Sequence, residues 1–245
     1  MEWEKIEGRP GVGISLFLLE REGRSIPGKL WEPLEPASGP VILIGHGGSS
    51  SVEEEHVGSL ARGLVRRHGA TCVAIDGPVH GRRRGDRSQD PTLVMLDFSQ
   101  AWSLDDTMTD QMVADWITTL NVIVQEKNVG DHPVGYWGLS MGTILGLPLV
   151  AAEPRIAAAV LGLAGIIGPS KDRLARDAER VHCPTLLLMQ WDDELFSRES
   201  CLALFDALGS DDKQLHITPG SHSAVTTETF LMTASFLAAR LLQED

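Results

Sequence analysis

A glycine-flanked serine that directly follows a short apolar run constrains the fold of this chain more than any other feature. Residues 134–137 form the run, and the next five are Gly138-Leu139-Ser140-Met141-Gly142. This pattern is typical of a strand that turns sharply into a helix and holds the serine in a strained, exposed conformation. Glycine flanks the serine because a side chain there would collide with the neighbouring elements. The sequence therefore predicts Ser140 as a nucleophile.

The chain carries candidate partners for this serine farther along. A serine hydroxyl is a poor nucleophile unless a base removes its proton and a third group orients that base. Two later strand candidates are each followed by a polar loop. The first loop holds three consecutive acids, Asp192, Asp193 and Glu194, and the second holds Pro-Gly-Ser-His222. We predict His222 as the base, and only one of the three acids can point at it.

A glycine turn upstream could supply hydrogen-bond donors. Residues 41–44 are a β-branched strand candidate that runs into Gly45-His46-Gly47-Gly48-Ser49. Backbone N–H groups in such a turn, and at the residue after the nucleophile, can hold the negative charge of a tetrahedral intermediate. We predict the N–H groups of Gly48 and Met141 as this oxyanion hole.

With these four parts in this order, the chain resembles the α/β-hydrolase superfamily. Within it the chain is most similar to compact bacterial serine esterases and dienelactone-hydrolase-like proteins, from about residue 41 to the C-terminus. The segment from Asp76 to Gly81 also resembles the family's Asp-x-Pro-Gly-His-Gly, with Val79 in place of a glycine. Dienelactone hydrolases proper carry a cysteine nucleophile, whereas this chain has Ser140, so an esterase is the better expectation.

The resemblance implies a fold and a complete catalytic triad. It implies an α/β-hydrolase fold: a mostly parallel central sheet with helices on both faces, in a single domain over residues 1–245. It favours Asp193 as the acid, because Asp193-Glu194-Leu195-Phe196 is similar to the family's ending of that loop. No cofactor is expected. The interval 165–183 is too short for a large lid, and an irregular cap-like insertion is expected at about 81–103, which favours a small or medium acyl substrate.

Alternating strand and helix patterns agree with such a sheet. Pro148 falls inside the helix expected after Ser140, where it predicts a kink or an early end. Further elements are expected as an N-terminal hairpin at 14–19 and 25–31, strands at 71–75, 157–163, 184–189 and 215–218, and helices at 52–68, 104–126, 171–180 and 201–208 before a C-terminal helix.

Composition and net charge limit the classes of binding partner that this chain is expected to have. The chain has 245 residues, 42% of them apolar, and a net charge of −13, which argues against nucleic acid or an anionic membrane as partner. No apolar run approaches a membrane span, and no secretory signal is visible. Three cysteines at unrelated spacings suggest buried thiols in the cytoplasm, a reducing compartment. No histidine pair has metal-ligand spacing, so no metal is expected. A neutral small-molecule substrate fits best, and the oligomeric state stays open.

For several residues, and for the function itself, more than one interpretation stays open. Trp191 is expected to pack, with a possible place in the wall of the acyl pocket. His46 and His80 are expected to brace loops, and the arginines of residues 82–87 to be solvated and paired to Asp86 or Asp90. The same triad could cleave a peptide, a thioester or a carbon–carbon bond, because fold does not determine substrate. A non-catalytic ligand-binding protein on a hydrolase scaffold is the other alternative.

Overall fold

One twisted sheet organises the chain in the computed structural model, which describes residues 2–36, 39–105 and 107–242. The strand order across the sheet is β1-β2-β3-β5-β4-β6-β7-β8-β9. In chain order the strands are β1 Glu2–Arg9, β2 Val12–Arg21, β3 Arg24–Pro33, β4 Val41–Gly45, β5 Thr71–Ile75, β6 Val134–Gly138, β7 Ile156–Gly162, β8 Thr185–Gln190 and β9 Lys213–Thr218.

The sheet is mostly parallel, as the sequence predicts. Strands β1, β2, β3 and β5 pair antiparallel, and β4 through β9 form the parallel part. The hairpin of β2 and β3 confirms the expected one, but β1 was not expected. Its side chains are largely exposed, so it lacks the apolar run that marks a buried strand, and it is held by pairing with β2 and by Trp3 packing on Phe17.

Among the described residues, seven α-helices pack around the sheet and cover both of its faces. Helices α1 and α7 pack together on one face, and α3 to α6 line the other, with a separate apolar core under each group. In chain order the helices are α1 Glu55–His68, α2 Pro91–Leu104, α3 Met108–Lys127, α4 Met141–Ala152, α5 Lys171–Ala178, α6 Arg198–Ala207 and α7 Thr227–Leu241. None of these described helices is long and apolar enough to cross a membrane.

Helix α2 corrects the expectation of an irregular insertion at about 81–103. The carboxylate of Asp90 caps α2 by accepting the N–H groups of Thr92, at 2.9 Å, and Leu93, at 3.3 Å. Pro91 occupies the first turn, where its fixed φ suits a helix and its missing N–H costs nothing. The expected long helix also begins later than predicted, at Met108 instead of residue 104. Residue 104 is instead the last residue of α2.

Pro148 does not end its helix early. Helix α4 continues past it to Ala152, and its residues are buried almost throughout between the sheet and neighbouring helices. Proline removes one backbone hydrogen bond from the helix, and apolar packing on all sides offsets this loss, so the helix continues. The three cysteines are free; Cys72 and Cys201 are buried, and Cys183 is half-buried.

Candidate active site

The turn between β6 and α4 holds Ser140 in a strained conformation. Its φ of 57° and ψ of −120° are unusual for a residue with a side chain. The Ser140 N–H donates to the carbonyl of Gly162 on the adjacent strand at 2.9 Å, which fixes the turn. A Cβ on Gly142 would lie 2.5 Å from the Gly45 carbonyl oxygen, so only glycine allows α4 to approach β4 this closely.

Three predicted side chains meet at the carboxyl ends of the parallel strands. His222 Nε2 lies 2.9 Å from Ser140 Oγ, and His222 Nδ1 lies 2.8 Å from Asp193 Oδ2. The Asp193 side chain is 1% exposed and that of His222 is 14% exposed. With Nδ1 protonated toward the carboxylate, Nε2 is free to accept the serine proton. The arrangement can therefore perform nucleophilic catalysis.

The two neighbouring aspartates have different surroundings. The second oxygen of Asp193 accepts the N–H groups of Leu195, at 2.8 Å, and Phe196, at 3.0 Å, so its carboxylate is oriented from both sides. Asp192 is exposed, and its carboxylate lies 3.4 Å from Arg198 instead of facing His222. The geometry thus favours Asp193 as the orienting acid.

The backbone near Ser140 offers two unused donors. Among the described residues, the N–H groups of Met141 and Gly48 have no acceptor, whereas the N–H of Ser49 donates to His80 Nε2 at 3.1 Å. Gly48 lies beside Met141, since a Cβ on Gly48 would be 4.0 Å from Met141 Cβ. Both N–H groups remain candidates for the oxyanion hole.

His46 and His80 brace the loops around these donors, as the sequence predicts. His46 Nε2 accepts the Gly77 N–H at 2.8 Å, and His80 Nδ1 donates to the Pro78 carbonyl at 2.7 Å. Burial disfavours the charged ring and lowers the pKa of each histidine to about 4. Both therefore stay neutral near pH 7 and act as fixed links between loops.

The structure adds two residues beside His222 that the sequence did not single out for this role. The Glu194 carboxylate accepts the backbone N–H of His222 at 2.8 Å, and this bond lowers the pKa of Glu194. The Phe196 ring lies 5.7 Å from the His222 ring, centre to centre. Both belong to the acid loop, and only the meeting of that loop with the histidine loop reveals their contacts.

Met95 of α2 covers the proposed oxyanion hole. A Cβ on Gly48 would come within 2.7 Å of Met95 Sδ, so the sulfur packs directly against that glycine. One turn farther along α2, Phe98 stacks on Trp102 and meets the His80 ring edge to face. Helix α2 is thus anchored over the loop that carries Gly48, and Met95 is 38% exposed. The sequence did not point to Met95, because the segment that carries it was expected to be irregular.

Trp191 begins the acid loop, two residues before Asp193. Its ring is 45% exposed, and the guanidinium of Arg198 stacks over it at 4.1 Å. Its place in the wall of the acyl pocket stays a prediction.

The arginines of residues 82–87 are only partly as expected. Arg84 pairs with Asp86, as predicted, but it is buried and also pairs with Asp97 at 2.9 Å. Arg83 reaches the fully buried Asp115 of α3 at 2.7 Å. The expectation of a solvated loop is therefore wrong for these two arginines, because α2 supplies Asp97 and α3 supplies Asp115 as their partners.

The prediction that no metal is bound stays untested. In the part of the chain that the structure describes, no group of three or more histidine, cysteine, aspartate or glutamate side chains is placed to hold a metal ion.

Comparisons with known proteins place the chain in a family. A scan of protein-family models and a search of curated proteins find no match. Among solved structures, a PEG-bound cold-adapted esterase from an Arctic intertidal metagenomic library is 41% identical over 98% of this chain and all of its own, with a TM-score of 0.88.

More distant structures share the fold. An acetyl xylan esterase from Paenibacillus sp. R4 is 17% identical over 97% of this chain and 88% of its own, with a TM-score of 0.71. A dienelactone hydrolase from Anabaena variabilis is also 17% identical, over 99% of this chain and 98% of its own, with a TM-score of 0.64. Full-length similarity to the cold-adapted esterase, together with this fold, shows that the chain belongs to the esterases of the α/β-hydrolase superfamily.

Proposed function

We propose that this protein is a serine carboxylesterase that cleaves small or medium acyl esters, with Ser140 as nucleophile, His222 as base and Asp193 as orienting acid. The observation that carries the proposal is the continuous relay from Ser140 Oγ through His222 to Asp193, with links of 2.9 and 2.8 Å. Family membership supports the ester as the bond that is cleaved.

In the first half of the reaction, Ser140 Oγ attacks the ester carbonyl carbon while His222 Nε2 takes its proton. Asp193 stabilises the imidazolium that forms, and the N–H groups of Gly48 and Met141 hold the oxyanion. Collapse of the tetrahedral intermediate breaks the bond to the alcohol, which leaves with the proton from His222. The acyl group remains on Ser140.

In the second half, water replaces the alcohol. His222 Nε2 removes a proton from a water molecule that attacks the acyl carbon, and the same two N–H groups hold the second oxyanion. The carboxylic acid departs as Ser140 recovers its proton from His222. The scheme requires no cofactor.

The cover over the proposed site supports a small or medium acyl group. Met95 occupies space against Gly48 from the α2 side, and Trp191 of the acid loop is a proposed outer wall. A single helix gives partial cover, which suits short and medium acyl chains.

Three coarser features complete the proposal. Free thiols at Cys72, Cys183 and Cys201 suit the reducing cytoplasm. All nine described strands share one sheet, which supports a single domain. The partner is a small neutral acyl compound, in keeping with a charge of −13.

Hydrolysis of esters graded in acyl length, with Ser140→Ala as the control, tests the proposal. We expect turnover of the shorter chains that disappears in Ser140→Ala, and an organophosphonate adduct on Ser140. No ester turnover with Ser140 still labelled would redirect the search to thioesters, peptides and carbon–carbon bonds. A serine inert to phosphonate, with ligand still bound, would indicate a non-catalytic binding protein.

A further inference from the structure

A groove lies between α1 and α7, the two helices that pack together on one face of the sheet. Its volume is about 540 Å³, which is in the range of sites that bind small organic molecules. None of the residues proposed for catalysis lines the groove, so it is separate from the proposed active site. Its apolar side chains come mainly from α7, and its arginines come from α1.

The apolar side of the groove is held in place from behind. The Phe230 ring stacks on the buried Trp137 with 5.6 Å between ring centres, and the His56 ring lies 6.4 Å from Phe230. Leu231 and Ala234 line the groove beside Phe230, and Leu231 is 42% exposed. An apolar ligand that covers Leu231 removes this surface from water, which favours binding.

The α1 side of the groove carries more positive charge than its own carboxylate can balance. Three arginines, Arg62, Arg66 and Arg67, line it with one described acid, Glu55. The Glu55 carboxylate already accepts a hydrogen bond from Arg62. Arg66 donates its Nε to the Pro10 carbonyl at 3.1 Å, and Arg67 has no hydrogen bond or ion pair with any described residue. Both Arg66 and Arg67 are exposed, so an anion in the groove can reach them.

We propose that this groove binds an amphipathic carboxylate, the anion of a carboxylic acid with an apolar chain of medium length. The carboxylate lies on Arg66 and Arg67, because a guanidinium group presents a planar fork of donors that matches two carboxylate oxygens. The chain lies along Phe230 and Leu231, where the lining part of α7, residues 227–234, is roughly 10 Å long. One negative charge is favoured over a doubly charged phosphate, because the protein has a net charge of −13.

Isothermal titration calorimetry of the full chain with octanoate, acetate and octanol tests the proposal. Acetate has the carboxylate without the chain, and octanol has the chain without the charge. We expect octanoate to bind at least about tenfold more tightly than either of them, because only octanoate uses both sides of the groove. Octanol or acetate that binds as tightly as octanoate would overturn the proposal, and so would an absence of octanoate binding.

An arginine variant with a matched control tests the charged side of the groove. Arg67→Gln removes the guanidinium group that has no partner, and we expect it to weaken octanoate binding about tenfold, the effect of losing one charge-assisted hydrogen bond. Arg176→Gln makes the same charge change at an exposed arginine of α5, on the other face of the sheet, and should leave binding intact. Equal losses in the two variants would show a diffuse charge effect and refute the site.

A leucine variant with its own control tests the apolar side. Leu231→Ala should weaken octanoate binding several-fold, because the chain loses part of the surface that it covers. Leu202→Ala on α6 truncates a leucine of similar exposure, 39%, outside the groove and should leave binding unchanged. Octanoate that binds equally well to Arg67→Gln, Leu231→Ala and the wild-type protein would be bound elsewhere, for example in the proposed active site, and the groove proposal would then be wrong.

Discussion

At the residue scale, Asp192 and Asp193 differ in what their carboxylates can reach. Asp193 bonds His222 at 2.8 Å, and Asp192 lies in solvent beside Arg198. We expect Asp193→Asn to lower kcat by about four orders of magnitude, because an amide favours the wrong imidazole tautomer. Asp192→Asn has the same size and charge change and should leave kcat nearly unchanged. Steady-state kinetics of both variants test which aspartate orients His222. A severe loss of kcat confined to Asp192→Asn would make Asp192 the acid.

Glu194 holds the backbone of the proposed base rather than its ring. Its carboxylate accepts the His222 N–H at 2.8 Å. We expect Glu194→Ala to lower kcat several-fold with little change in KM, because His222 loses a fixed position relative to Ser140. Glu194→Gln keeps an oxygen acceptor and should retain most of the turnover. Comparing kcat and KM of the two variants tests this, and equal losses would mean that the charge matters and the hydrogen bond does not.

Parts of the candidate site can be predicted from the sequence where one short motif specifies one contact. The motif around Ser140, the glycine turn at Gly48 and the loop that ends in His222 each carry their own signal. The contacts of Glu194 and Phe196 do not, since they arise when two loops 28 residues apart meet at neighbouring strand ends.

At the scale of the element, α2 places Met95 against the proposed oxyanion hole. Met95 Sδ packs on Gly48. Met95→Ala should therefore enlarge the site and move the preferred ester toward longer acyl chains. Leu96→Ala on the same helix, 62% exposed, serves as the control and should leave the preference unchanged. An acyl-length profile of both variants makes the comparison, and an unshifted optimum in Met95→Ala would remove Met95 from the acyl site.

Helix α2 also shows why pattern reasoning missed an element. Its apolar side chains do not form one stripe, because Val94 and Phe98 are buried while Leu93 and Leu96 are exposed. Periodicity consequently gives no helical signal there. The sequence nevertheless contains the signal for the start of this helix, because the capping residue Asp90 is followed by Pro91.

At the scale of the whole molecule, two buried histidines couple stability to pH. His46 and His80 have a folded pKa of about 4, below the ordinary 6.5. Between these values the unfolded chain binds more protons, so the free energy of unfolding falls as pH falls, by up to about 1.4 kcal/mol per pH unit for each histidine. We expect chemical denaturation from pH 7 to 4.5 to show this decline.

Removal of one histidine provides the control for this pH dependence. His80→Gln takes away one titrating group, so its stability should decline less steeply with falling pH, whatever its stability at pH 7. A decline as steep as in the wild-type protein would show that His80 does not contribute.

The sequence alone predicts Ser140 and His222 as catalytic candidates, the alternation of strands and helices and the mostly parallel sheet, because each prediction rests on local spacing of apolar, glycine and polar residues. Tertiary structure decided the rest. It selected Asp193 over Asp192 for contact with His222, placed Met95 on Gly48, and brought arginines of α1 and apolar side chains of α7 around one groove. These contacts join segments far apart in the chain, and only the packing of elements on the sheet determines which side chains meet.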